Sequence, residues 1–288
     1  MTEQWIIDGA EGQPIFGTCD IPSGEPGAVV IVSHGFKGYK DYGLTAALSR
    51  ELCKGGGGGL LVQRFNFSHS GMTNNIETFE RPDLFEMDTW NKQVHDLRTV
   101  AKAVADGTLR GTGLPQVWLG HSRGGVTTLL AAGRTIPSGV PKPVGLVLVS
   151  TPSACCSMSE ADRQKFLAEG FIVSPSARTG QQLRIGSAWL QEQLDEPEQH
   201  NLVALAANVT CPVLIVHGAA DPTVDAKHAN RLESAIGSEA RVVLVEGADH
   251  VFKTPNPAPE DQPISPQLSY LAKETGRFAA EVCTAAST

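Results

Sequence analysis

Six short apolar runs, separated by stretches of helical character, limit what this chain can fold into. They are Ala28–Ser33 (AVVIVS), Leu60–Asn66 (LLVQRFN), Gln116–Gly120 (QVWLG), Val144–Ser150 (VGLVLVS), Pro212–His217 (PVLIVH) and Arg241–Glu246 (RVVLVE). Most lack the polar–apolar alternation of a strand with one wet face, so each predicts a strand covered on both faces. Between them lie Asp41–Lys54, Asp88–Asp106, Arg123–Arg134 and Val224–Ile236, which read as helices. In the second of these, Trp90, Val94, Leu97, Ala101 and Val104 fall on one helical face. Strand–helix alternation of this kind predicts a mostly parallel, doubly wound α/β sheet with right-handed crossovers. Trp5–Ile7 and Ile15–Cys19 flank a Gly-rich turn and predict an N-terminal antiparallel hairpin at one sheet edge.

Two stretches break the alternation. Residues 152–210 separate consecutive strands by far more than a crossover needs, and they carry helical pieces at Ser159–Glu169 and Gln181–Leu194. They are read as a small helical cap inserted into a single domain spanning 1–288. The Pro-rich segment 254–266 (TPNPAPEDQPISP) ends in Ser265-Pro266, an N-cap and N1 pair that opens a last helix to about Val282. The five glycines 55–59 suggest a phosphate loop, but no GK[ST] follows and the run leads into a strand. A helix-to-strand connection is the better reading.

A net charge of −8 argues against nucleic acid as a partner, because phosphate binding needs clustered Lys and Arg. No run of about 18 apolar residues exists to span a bilayer. The N-terminal MTEQWIIDGAEG lacks the basic region of a signal peptide. Six scattered cysteines form neither CxxC nor a zinc-type cluster, so they are read as mostly buried thiols of a cytoplasmic protein. The adjacent pair Cys155-Cys156 has no evident role.

Gly120-His121-Ser122-Arg123-Gly124 fits G-x-S-x-G, after an apolar strand and before the helix-compatible VTTLLAAG. That context is what a strained strand-to-helix turn presenting a reactive serine requires. A serine hydroxyl is a poor nucleophile near neutrality and needs a base, which an acid must orient. Asp221, in HGAADPTVD, and His250, in GADHVF, each follow a strand, giving the order Ser, Asp, His. All three then lie just past the C-terminal ends of strands, where open α/β sheets bind ligands.

With SHGF at 33–36, GHSRGG at 120–125, HGAADPTV at 217–224 and GADH at 247–250, the chain resembles the α/β-hydrolase superfamily over nearly its whole length. HGFKGYKDYG and FNFSHSG are similar to esterase-like members, including cinnamoyl-esterase-like and serine-aminopeptidase-like enzymes. The resemblance implies Ser122 as nucleophile, His250 as general base and acid, and Asp221 as its orienting carboxylate. It also implies an oxyanion hole from the backbone N–H groups of Phe36 and Arg123, with no such role for the Arg123 side chain. FNFSHSG departs from the D-x-R-G-x-G version of many members, so a substrate borrowed from those members does not follow.

Other candidates have plainer readings. Asp225, the rival acid, lies in the following helix and caps or decorates it, and Asp249 points elsewhere in the family pattern. His34 and His121 flank the site as packing or hydrogen-bonding groups. His69 is a minor candidate for the pocket wall, and His217 is structural at a loop start. His95, His200 and His228 read as solvated helix positions, and Asp96 as a charge on a helix. The function implied is hydrolysis of a small-molecule carboxylic ester through an acyl-enzyme, with no cofactor and no metal. Amide or peptide hydrolysis by the same triad stays open, as does a binding protein that kept the fold without the catalysis.

Overall fold

The computed structural model describes residues 1–55 and 59–286, so the centre of the five-glycine connection, 56–58, lies outside the described residues. An eight-stranded sheet is built from β1 (Thr2–Asp8), β2 (Pro14–Asp20), β3 (Val29–Ser33), β4 (Leu61–Phe65), β5 (Gln116–His121), β6 (Gly145–Val149), β9 (Val213–Gly218) and β10 (Ala240–Val245). Its order is β1-β2-β4-β3-β5-β6-β9-β10. β2 pairs antiparallel with β1 and β4, and the remaining pairs are parallel. The N-terminal hairpin and the doubly wound sheet are therefore as the sequence predicts.

Consecutive strand residues point to opposite faces, and here both faces are dry. Val29 and Ile31, Trp118, Leu146 and Leu148 join one core with α3 (Trp90–Ala105), α4 (Arg123–Gly133), α8 (Leu202–Ala206) and α9 (Lys227–Ile236). Val30 and Val32, Val117 and Leu119, Val147 and Val149 join the other, under α1 (Gly43–Lys54) and α10 (Pro266–Ala286). This two-sided burial explains the absence of alternation in the central strands. At β10 it fails: that strand is the sheet edge, and Leu244 is largely exposed. α10 starts as expected, with Ser265 Oγ accepting the Leu268 N–H at 3.0 Å and Pro266 as its first residue. Among the described residues, no helix is long and apolar enough to cross a membrane.

The insertion differs from the helical cap of the sequence reading. It holds α5 (Glu160–Glu169), then a two-stranded antiparallel hairpin of β7 (Phe171–Pro175) and β8 (Gln182–Gly186), then α6 (Ala188–Asp195) and α7 (Pro197–His200). The helix expected over Gln181–Leu194 thus begins only at Ala188, because Leu183 is drawn into a separate apolar cluster with Tyr39, Met72, Phe79 and Phe85. Phe85 lies on α2 (Pro82–Glu86), which packs against β8. At the far end of the insertion, α8 packs on α4 and α9 and belongs to the main helical layer.

Successive strands progress from β3 to β4 in one direction, and from β5 through β6 and β9 to β10 in the other. At such a reversal the loops leaving neighbouring strands part, and a crevice opens above their C-terminal ends. Here that crevice lies between β3 and β5.

Candidate active site

Ser122 sits between β5 and α4 with φ 54° and ψ −120°, a left-handed conformation that costs a non-glycine residue of order 1–3 kcal/mol. The bend is possible because Gly120 and Gly124, two positions to either side, have no side chains. A Cβ on Gly120 would lie 2.3 Å from the Gly124 carbonyl oxygen, and one on Gly124 would lie 2.2 Å from that of Ser33. The turn is locked by the Ser122 N–H donating to the Val149 carbonyl at 2.8 Å and by the Gly125 N–H donating to the Ser122 carbonyl at 2.9 Å.

Asp221 follows β9, and its side chain is fully buried. Its Oδ1 accepts the N–H groups of Thr223 at 2.8 Å and Val224 at 3.0 Å, and its Oδ2 accepts from His250 Nδ1 at 2.8 Å. Burial alone would raise this carboxyl. The Val224 N–H, the His250 ring and the Thr223 N–H outweigh it and hold Asp221 below the usual carboxylate range. Because a carboxylate only accepts, Nδ1 of His250 carries the proton and Nε2 is the ring's remaining acceptor. His250 and Ser122 line one cleft of ≈ 310 Å³, together with His34, Gly35 and Phe36 from the loop after β3. That loop passes close to the serine: a Cβ on Gly35 would lie 3.2 Å from the Ser122 Cβ.

The two flanking histidines are braces, as their sequence reading has it. His121 donates Nε2–H to the His250 carbonyl at 2.9 Å, with the two rings 4.8 Å apart. His34 donates Nδ1–H to the Gly35 carbonyl at 2.9 Å and accepts the Phe67 N–H at Nε2. Burial pushes their pKa values down to about 3 and about 4, so both are neutral near pH 7. His217 Nε2 donates to the Val224 carbonyl at 2.8 Å and steadies the loop that carries Asp221. Asp225 accepts the Lys227 N–H, and Asp249 accepts those of Val251 and Lys253, so both acids serve their own backbone.

A model of the alpha/beta hydrolase family matches residues 29–262. The chain belongs to the alpha/beta hydrolase family. No protein of curated function matches it in sequence. Among solved structures, this hydrolase is similar to Est1E from Butyrivibrio proteoclasticus bound to ferulic acid, at 17% identity and a TM-score of 0.69 over 97% of this chain and 99% of that one. It is similar to the esterase domain of a Rhodothermus marinus protein, at 19% identity and a TM-score of 0.64 over 97% and 98%. A puromycin-hydrolyzing peptidase of Mycobacterium tuberculosis also aligns, at 20% identity and a TM-score of 0.64, over 98% of this chain and 39% of that one. At these identities the likeness is one of fold.

Several residues of this hydrolase do not sit where the sequence suggested. Asp96 is not a solvated helix charge: it is buried, and its carboxylate accepts the Ala10 N–H at 2.7 Å, the Ser68 N–H at 2.7 Å and the Ser68 hydroxyl at 2.8 Å. Burial pushes its pKa up to about 6 against those bonds. It ties FNFSHSG to the N-terminal hairpin. His69 is likewise buried, bonded to Ser68 and Glu11, and is not a cleft wall. His200 is buried and bonded to Glu192 and the Glu196 carbonyl, while His228 is half-buried against Ser153.

The Arg123 side chain reaches away from the cleft, pairing with buried Asp88 at 3.0 Å and lying 4.5 Å over the Trp90 ring. That pair clamps the elbow helix to the start of α3, where Thr89 Oγ1 caps by accepting the Lys92 N–H. The sequence reading also missed Lys37, Arg178 and Asn256 as cleft walls. Lys37 was legible from its place beside SHGF. Arg178 and Asn256 lie on irregular turns that no periodicity marks. Among the described residues, no group of three or more His, Cys, Asp or Glu could hold a metal ion.

Proposed function

We propose that this hydrolase cleaves carboxylic esters through an acyl-enzyme on Ser122. The observation that carries the reading is the Asp221–His250 bond at 2.8 Å, opening on the same cleft as the strained Ser122. In this route His250 Nε2 takes the Ser122 proton as Oγ attacks the ester carbonyl. The backbone N–H groups of Phe36 and Arg123 hold the oxyanion, each such donor contributing about 3–4 kcal/mol. His250 then returns the proton to the leaving alcohol and activates the water that releases the acid. The route needs no metal and no organic cofactor.

Residues 152–210 act as the cap of one domain, with the turn between β7 and β8 contributing Ser176, Ala177 and Arg178 to the cleft wall. Free thiols at Cys19, Cys53, Cys155, Cys156 and Cys211 favour a reducing, cytoplasmic setting.

Ser122→Ala is expected to lower kcat on p-nitrophenyl esters by about 10⁴-fold or more. A fluorophosphonate probe is expected to label the parent protein at Ser122 and not this variant. Ester turnover that survives the substitution would end the proposal. The same triad can cleave amides, so aminoacyl anilides are assayed in parallel, and faster anilide turnover would make the enzyme a peptidase. A folded protein that takes no probe would be a binding protein.

A further inference from the structure

The charge of the cleft runs against that of the chain. Acidic residues outnumber basic ones, 31 to 23, yet the cleft that holds Ser122 and His250 is walled by Lys37 and Arg178 and by no Asp or Glu. Its remaining ionisable walls include His34 and His121, which are neutral at pH 7. The triad acid is fully buried, with its oxygens bonded to Thr223, Val224 and His250.

Neither cation is neutralised. Lys37 Nζ donates to the Pro175 carbonyl at 2.6 Å. Arg178 Nη1 donates to the Ile76 carbonyl, and its Nη2 meets the Met72 sulfur at 3.4 Å. Among the described residues, no carboxylate lies within ion-pair distance of either. Both are also held in place. The Arg178 guanidinium stacks 4.8 Å from the Tyr39 ring and 5.2 Å from the Phe79 ring, and Lys37 lies 5.3 Å from the Phe36 ring. Gln181 fastens the turn that carries Arg178, bonding the Phe79 N–H at 2.8 Å and the Phe79 carbonyl at 3.0 Å. Two of the five guanidinium N–H donors of Arg178 are spent on Ile76 and Met72, which leaves three to meet a carboxylate.

From this geometry, and resting on the ester hydrolysis proposed above, we infer that the substrate is an ester carrying a carboxylate, which Arg178 and Lys37 hold at the mouth of the cleft while Ser122 attacks. The two cations are specificity residues, set apart from the reacting atoms. The carboxylate belongs either to the acyl part or to the alcohol part, and the two are separable by choice of substrate.

The test compares kcat/KM within two matched pairs. One pair is the p-nitrophenyl monoester of adipic acid against p-nitrophenyl hexanoate, which places the charge on the acyl side. The other is the butyrate ester of 4-hydroxybenzoate against that of p-cresol, which places it on the alcohol side. In at least one pair the anionic ester is expected to be preferred by about tenfold, the scale of a charge-assisted contact. That preference should shrink toward one on raising KCl from about 0.01 to 0.5 M, as screening tightens. Arg178→Gln and Lys37→Gln should each cut the ratio several-fold, and the salt series on the parent protein reads the same interaction without any substitution. Neutral esters turned over as well as or better than anionic ones in both pairs, with activity lost in Ser122→Ala, would overturn the carboxylate assignment and leave the esterase reading standing. No turnover of any ester would remove both.

Discussion

At the scale of single residues, the acid of the site and a buried acid outside it behave oppositely. Asp221 is held below the usual carboxylate range, so it stays charged and keeps the His250 ring in one tautomer. Asp221→Asn is expected to lower kcat by about 10⁴-fold, measured on a p-nitrophenyl ester at saturation. Asp96 is pushed up from 3.8 to about 6, so the folded state binds its proton more tightly than the unfolded chain does. Its contribution to stability is full below pH 3.8 and is lost as pH rises through about 6. Between pH 4 and pH 7, the stability of the parent protein relative to Asp96→Asn should therefore fall by about 2 kcal/mol, read from urea unfolding at each pH. The contrast between these residues was half legible. Asp221 follows a strand in HGAADPTV and could be read. Asp96 occupies an ordinary-looking helical position, and only the chain crossings at Ala10 and Ser68 make it a buried hub.

At the scale of elements, the elbow and the β7–β8 hairpin are fastened by different means. The elbow rests on backbone-to-backbone approach, which cannot yield. Gly124→Ala would drive a Cβ against the Ser33 and His34 carbonyl oxygens, at 2.2 and 2.5 Å, and is expected to cost about 3 kcal/mol in chemical denaturation. The hairpin rests on side-chain bonds, with Gln181 reaching Thr78 and Phe79 in the segment before α2. Gln181→Ala should speed native-state hydrogen exchange at the 171–186 amides by about tenfold, with global stability changing far less. The elbow was legible because G-x-S-x-G combines a strand, a bend and a helix in a few residues. The hairpin was not, because Gln182–Gly186 is short and abuts α6, and two short strands so placed imitate one longer helix.

At the scale of the whole molecule, one sheet separates two cores, and both depend on it. Leu148→Ala on one face and Leu271→Ala on the other should each cost about 2–5 kcal/mol and add to within about 0.5 kcal/mol, because the two side chains belong to separate core clusters. A single transition in both variants would show that the sheet couples the two layers. The sheet was legible in outline from its apolar runs, whereas the charge of the cleft was not, because Lys37 and Arg178 are 141 positions apart and meet only through the insertion. The same geography has a consequence for synthesis. The cleft draws on the loop after β3, on Ser122 and on His250, which follows the last strand of the sheet. Domains leave the ribosome N-terminus first, so Ser122 emerges well over a hundred residues before His250. A growing chain holds Ser122 without His250 beside it until the final strand docks, so activity at the proposed site is expected only after residue 250 has left the ribosome.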